Sequence, residues 1–159
     1  METIEIEVYS FDELDDRAKE RARDWYRNGL EYPSFSESLD SIRAFANHFN
    51  VTIKDWSLGG YRYGYIKTDA SNEHFRGVKL SSIDRNYMPT GYYLDCDLWQ
   101  TFYDEFKRTG DAKYAFEQAL ETAIVSINND IDQQYSDESV DDCLTINEYK
   151  FLANGEFWE

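Results

Sequence analysis

The sequence predicts an α+β fold: one domain over residues 1–159, with a small antiparallel sheet packed against several helices. Three observations predict it. Residues near both ends read as strands, most plainly Ile4-Glu5-Ile6-Glu7-Val8, where apolar and polar side chains alternate with a period of two. Between the ends lie long runs whose apolar residues recur every three or four positions, the mark of helices with one buried face. No repeat, linker or low-complexity tract divides the chain, and 159 residues at 42% apolar content can bury a core without disulfides or metals.

In order, residues 3–9 form a strand with Ile4, Ile6 and Val8 on the buried face and Glu5 and Glu7 in water. Ser10 followed three residues later by Glu13 is a capping box that starts a helix, and Asp12, Glu13, Asp15 and Asp16 suit the positive end of its dipole. Leu14, Ala18, Ala22, Trp25 and Tyr26 make its apolar stripe, and Gly29 stops it. Arg17, Lys19, Arg21, Arg23 and Arg27 lie outside that stripe and are expected to pair with the adjacent acids. A second helix opens at Ser34 or Ser36 and carries Leu39, Ile42, Phe45, Ala46 and Phe49 to an end near Asn50.

From Val51 the period shortens. Val51, Ile53 and Trp56 on one side of Gly59-Gly60, and Tyr61, Tyr63 and Tyr65 on the other, predict a hairpin, because a glycine pair supplies the positive φ angles of a tight turn. Residues 68–76 form a loop, and Val78, Leu80 and Ile83 suit either a strand or a short helix. Leu94, Leu98, Phe102 and Phe106 define a helix that ends at Gly110, and Asp111 caps the next and longest one, from Ala112 to about Gln134. Its buried side runs through Ala115, Phe116, Ala119, Leu120, Ala123, Ile124, Ile127 and Ile131. Ser136 caps a short acidic helix bearing Val140, Cys143, Leu144 and Ile146, and Asn154-Gly155 turns a closing hairpin between Tyr149, Phe151 and Phe157-Trp158.

Composition bounds the function. Thirteen Tyr, ten Phe and four Trp predict an aromatic core and sheet in which Tyr is prominent. Two cysteines, Cys96 and Cys143, with no CxxC or Cys/His spacing, fit a reduced intracellular compartment. No run approaches the ~20 apolar residues of a membrane span, and the first residues lack a signal peptide's basic and apolar regions. A cytoplasmic location and no membrane partner are the expectation.

Charge is the most telling feature. Acids outnumber bases 32 to 16, for a net charge of −16. Residues 1–16 hold seven carboxylates and no Lys or Arg, while residues 117–159 hold eleven against Lys150 alone. A field of that sign attracts basic surfaces and repels nucleic acid, so direct nucleic-acid binding is not expected. The N-terminal acids have the basic run Arg17–Arg27 beside them, whereas the C-terminal block has no such run in sequence.

Chemistry-bearing motifs are absent from the sequence: no GxxxxGK[ST], no GxSxG and no HExxH. His48 sits in the apolar run Phe45–Phe49 as an ordinary helix residue, and His74 with Asp69 offers two ligands where zinc takes three or four. Asn128–Asp132 superficially resembles a calcium loop but carries Gln133 and Ser139 where that loop needs Gly and Glu. The sequence therefore predicts no enzyme, no cofactor and no metal.

Val8-Tyr9-Ser10-Phe11-Asp12-Glu13-Leu14, then Ala18-Lys19-Glu20-Arg21-Ala22 and Trp25-Tyr26-Arg27, resembles the opening of a family of small phage and prophage proteins often labelled antitoxin of a toxin–antitoxin stability system. Tyr135–Ser139 and Asn147-Glu148-Tyr149-Lys150-Phe151, with Gly155 beyond, is similar to that family's ending. The first hairpin departs from it, with Gly59-Gly60 in place of a Gln-Gly-Asp-Gly turn. The resemblance implies a mobile-element origin and an intracellular setting in a host cell.

Together these readings predict a non-enzymatic inhibitor of phage type that binds a basic, nucleic-acid-binding surface of a host defence or nucleic-acid-processing protein. Anti-CRISPR or anti-restriction action through a nucleic-acid-mimicking acidic surface is the concrete form, with a defence nuclease or guide-RNA complex as partner. Asp130, Asp132, Asp137, Glu138, Asp141 and Asp142 are the expected partner-binding residues, joined by Asp12, Glu13, Asp15 and Asp16. Helical carboxylates recur every ~5 to 6 Å and duplex DNA carries a charge every ~1.7 Å, so such a face engages several Arg or Lys of a groove. The alternative is an antitoxin-like protein that neutralises a cognate partner by shape through Trp56–Tyr65.

Overall fold

A computed structural model describes residues 1–30, 35–58 and 64–158. The fold is α+β, with five helices and two antiparallel two-stranded sheets among the described residues. The chain falls into two compact units, and the first is built from both ends: residues 1–32 together with 132–159.

In the first unit, strand β1 (Tyr9–Ser10) pairs antiparallel with β4 (Lys150–Phe151), in the register Tyr9↔Phe151 and Ser10↔Lys150. Helix α1 (Asp16–Gly29) and helix α5 (Asp137–Ile146) close a core of Phe11, Leu14, Ala18, Ala22, Val140, Leu144 and Phe151. The C-terminal hairpin forms at Asn154-Gly155, with Leu152 N–H donating to Glu156 O at 2.8 Å and Phe151 bridged to Phe157. Glycine is required at that turn. Gly155 has φ +88°, and a Cβ there would lie 2.1 Å from the carbonyl oxygen of Ala18 on α1.

Two N-terminal expectations need correction. The predicted strand over residues 3–9 shrinks to Tyr9–Ser10, and Ile4, Ile6 and Val8 are 78%, 48% and 39% exposed instead of buried. The register supplies the reason. Tyr9 faces the buried Phe151, so the alternation puts Val8, Ile6 and Ile4 on the side away from the core. The capping box at Ser10 starts a single 3-10 turn, Phe11–Glu13, and not the long helix. Phe11 and Leu14, three apart, are both buried, and Leu14 is extended at ψ 150°; the helix starts afresh after Asp15, whose carboxylate accepts the Ala18 N–H at 2.8 Å.

The second unit, residues 33–131, contains α2 (Phe35–His48), the hairpin β2 (Ile53–Ser57) and β3 (Tyr65–Thr68), α3 (Leu94–Thr109) and most of α4 (Ala112–Gln134). The turn expected at Gly59-Gly60, together with Tyr61, Tyr63 and Ser34, lies outside the described residues. The pairing of β2 with β3 is antiparallel, as the alternation there predicts, and Gly64 allows the hairpin to lie close on α4: a Cβ would come within 3.0 Å of Ile124. Helix α3 ends in the left-handed Gly110, and Asp111 accepts the Tyr114 N–H to start α4, both as the sequence predicts. Of the stretch with Val78, Leu80 and Ile83, whose pattern suits either a strand or a short helix, Leu80–Ser82 is a 3-10 turn. Asn128–Asp132 runs within α4.

Phe and Trp build the second core. Phe45 stacks on Phe116 with centroids 5.0 Å apart and meets Trp99 edge-on at 5.0 Å, and both partners are buried. No described tyrosine is buried, so the expected Tyr-rich core is a Phe/Trp core with tyrosines at its margins. The phenol oxygen asks for a polar partner, and tyrosine takes half-buried positions where one is in reach; Tyr135, for example, donates to Leu30 O at 2.7 Å. No helix among the described residues is long and apolar enough to cross a membrane.

Candidate functional site

Folding both ends into one unit concentrates the charge. The first unit carries eighteen acids against six bases, a net −12, while the larger second unit carries fourteen against ten. Nine of the ten predicted acids share the first unit; Asp130 lies on the α4 segment of the second.

The basic run of α1 pairs in part locally, Arg23 with Glu20 and Arg27 with Glu20 and Asp24, but not with the acids that precede it. Arg23 reaches across to α5 and donates from Nε and Nη2 to the two oxygens of Asp141 at 2.7 and 2.9 Å, with Glu20 at 3.0 Å. Those carboxylates raise the Arg23 pKa further above its ordinary value, against the opposing effect of burial. Its guanidinium also lies 5.6 Å from the centre of the Phe11 ring. Arg27 binds Asp137 and donates to Tyr135 O at 3.1 Å; its hydrogen bond holds the Asp137 carboxyl below the usual range. Arg21 bonds Glu156 at 2.8 Å. The arginines therefore tie α1 to the C-terminal block, and none forms an ion pair with Asp12, Glu13, Asp15 or Asp16 among the described residues.

The predicted acids accordingly divide by role. Asp137 and Asp141 are fixed by α1. Asp15 caps α1, and Glu13 accepts from Ser10 N at 3.0 Å and Ser10 Oγ at 2.9 Å, which lowers its pKa. Of the remaining predicted acids, those exposed and outside any ion pair among the described residues are Asp12 and Asp16 near the start of α1, Asp132 at the end of α4, and Glu138 and Asp142 one turn apart on α5. Positions 138 and 142 continue into Ile146, which is 77% exposed, so α5 presents an outer stripe of two acids and an aliphatic residue.

Beside α1 the closing hairpin adds an aromatic cluster whose members read in the sequence as a helix stripe and a hairpin strand. Trp25 stacks on Phe157 with centroids 4.2 Å apart and planes 10° apart, and meets Tyr149 edge-on at 5.5 Å. Trp25, Phe157 and Trp158 remain 36%, 39% and 47% exposed. Helical spacing gave Trp25 its place on α1, but the stack depends on a hairpin more than a hundred residues away. Next to it, a hydrogen bond to Cys143 and burial push the Tyr26 pKa up to about 12.

In the second unit, the aromatics proposed for a shape-based interface, Trp56 and Tyr65, are each 40% exposed, and the Tyr65 hydroxyl donates to Asp55 at 3.1 Å. His48 meets Trp99 edge-on at 4.8 Å, and burial lowers its pKa. His74 Nδ1 accepts the Ser71 N–H at 3.0 Å and so caps the turn Asn72–Phe75, leaving its other nitrogen 3.9 Å from Asp69. No group of three or more His, Cys, Asp or Glu among the described residues could hold a metal ion. Asp95, fully buried, went unnoticed in the sequence: one oxygen accepts from Thr90 N, Thr90 Oγ1 and Gly91 N at 2.8 to 3.0 Å, anchoring the loop before α3.

Clefts among the described residues include one of about 270 Å³ lined by Asp12, Glu148, Tyr149 and Lys150 and one of about 480 Å³ lined by Phe75, Phe106, Asp111 and Lys113. Compared with protein-family models, curated proteins and solved structures, the chain matches none.

Proposed function

We propose that the protein is a non-enzymatic inhibitor that covers a basic, nucleic-acid-binding surface of another protein with the acidic face of its first unit. The observation that carries this reading is the net −12 gathered on that unit, with Asp12, Asp16, Asp132, Glu138 and Asp142 exposed and outside any ion pair among the described residues. Carboxylates one helical turn apart stand at spacings that meet the Lys and Arg of a groove made for phosphates. The exposed Trp25, Phe157 and Trp158 of the same unit supply aromatic anchors that add to the charge contacts. The resemblance of both chain ends to phage and prophage proteins fits an inhibitor of a host defence nuclease or guide-RNA complex, of the anti-CRISPR or anti-restriction kind, acting in the host cytoplasm.

The test is competition. Host nucleic-acid-binding proteins captured by the tagged chain at low salt are identified, and each is assayed for nucleic-acid binding with and without the chain. The reading expects capture that fades as salt rises, displacement of the nucleic acid, and loss of both in Glu138→Lys/Asp142→Lys. A complex that survives high salt and charge reversal but fails in Trp56→Ala/Tyr65→Ala points instead to an antitoxin-like partner recognised by shape.

A further inference from the structure

The segment Met1–Val8 has the sequence of a strand and makes no strand in the fold. Its alternation is out of phase with its own unit. Opposed residues of an antiparallel pair share a face, so Tyr9 joins Phe151 on the core side, and Ile4, Ile6 and Val8 fall on the other. The extended alternation already reaches into the arm: the Tyr9 hydroxyl donates to Glu7 at 2.9 Å, as side chains two apart on one face of a strand do. Strand β4 lies between β1 and Phe157, so the far edge of β1 carries no strand among the described residues.

We infer that this arm is a docking strand, completed when a basic partner adds its own exposed sheet edge to residues 3–8. The proposal rests on the reading of the first unit as an acidic binding surface and names how the partner is engaged. Backbone pairing along the arm extends the ladder that β1 begins. Ile4, Ile6 and Val8 then meet an apolar face of the partner strand, and Glu5 and Glu7, on the opposite face, meet its Lys or Arg. Charge selects against a second copy of this chain. Two arms paired antiparallel bring glutamates opposite or diagonal to glutamates, and join two units that each carry −12.

The experiment uses the full chain and a synthetic peptide that alternates valine with lysine, with serine/lysine and valine/glutamate peptides as comparisons. Amide hydrogen exchange of residues 2–8 reports pairing directly. The proposal expects these amides to become protected with the valine/lysine peptide alone, and Ile6→Pro to abolish protection and weaken binding about tenfold or more, since proline removes a ladder donor. Ile6 is exposed, so the same variant keeps the parent urea midpoint. The proposal is overturned if no peptide protects the arm, if the serine/lysine peptide binds and protects as well, or if the chain alone protects it as concentration rises, which makes a second copy the occupant. Binding that ignores Ile6→Pro yet is lost in Glu138→Lys/Asp142→Lys also overturns the docking strand while leaving the acidic surface intact.

Discussion

Replacing Gly155 by alanine puts the packing of the first unit to a quantitative test. Gly155 and Gly110 share a left-handed backbone, φ +88° and +71°, and differ in their surroundings. At Gly110 nothing lies within 4 Å of an added Cβ, so Gly110→Ala meets only the left-handed penalty of about 1–2 kcal/mol. At Gly155 the Cβ would sit 2.1 Å from Ala18 O and 2.9 Å from Ala18 C, both backbone atoms of α1. No rotamer change relieves that overlap; the hairpin or the helix must shift, and overpacking of this kind adds about 1–3 kcal/mol. The shift also pulls Phe157 from its stack on Trp25. Gly155→Ala should therefore destabilise the protein by about 2–5 kcal/mol, clearly more than Gly110→Ala. Urea unfolding followed by circular dichroism and Trp fluorescence reads the difference as a lower midpoint. Equal midpoints for the two variants would refute the close approach of hairpin to helix.

Further outcomes follow from the same geometry. Arg23→Met, which strips Asp141 of a bidentate partner and Phe11 of a cation, should lower stability by about 2 kcal/mol, since Arg23 is only 18% exposed. Arg85→Met, at an equally bidentate but exposed pair with Asp104, should change the urea midpoint little. His48 is exposed on one side, and partial desolvation lowers its pKa by disfavouring the charged form, so the unfolded chain binds more protons below pH 6.5 and stability falls slightly as pH drops through that window. His48→Gln should flatten the contribution in midpoints measured from pH 7.5 to pH 5. Glu148, a left-handed non-glycine residue at φ 56°, should gain about 1 kcal/mol on change to Gly, seen as a higher midpoint.

Helices α3, α4 and α5 were legible because each signal was local: an apolar period, a capping Asp111 or Ser136, and a stop at Gly110. The closing hairpin was legible for the same reason, although the need for Gly155 comes from a helix far away in sequence. What local reading missed depended on register and on long-range partners. The alternation of residues 3–9 is genuine, but a period of two does not say which face is the core's, and Tyr9↔Phe151 decides against the aliphatic residues. Likewise, five bases following four acids suggested local pairing. On a helix, however, a side chain reaches whatever packs beside it, and α1 lies against α5, so the block that seemed to lack cations holds Arg23 and Arg27. The carboxylates exposed beyond that pairing, not the acidic blocks as a whole, form the candidate site. Phe11, Phe151 and Gly155 serve this same unit: the two phenylalanines fill its core and Gly155 admits α1.

The most direct measurement is the affinity of the chain for a captured nucleic-acid-binding partner as a function of salt, for the parent and for Glu138→Lys/Asp142→Lys. If the acidic face does the binding, log affinity falls steeply with log salt, and charge reversal weakens binding and flattens the slope while the urea midpoint stays near that of the parent. An affinity indifferent to salt and to both substitutions would contradict the account.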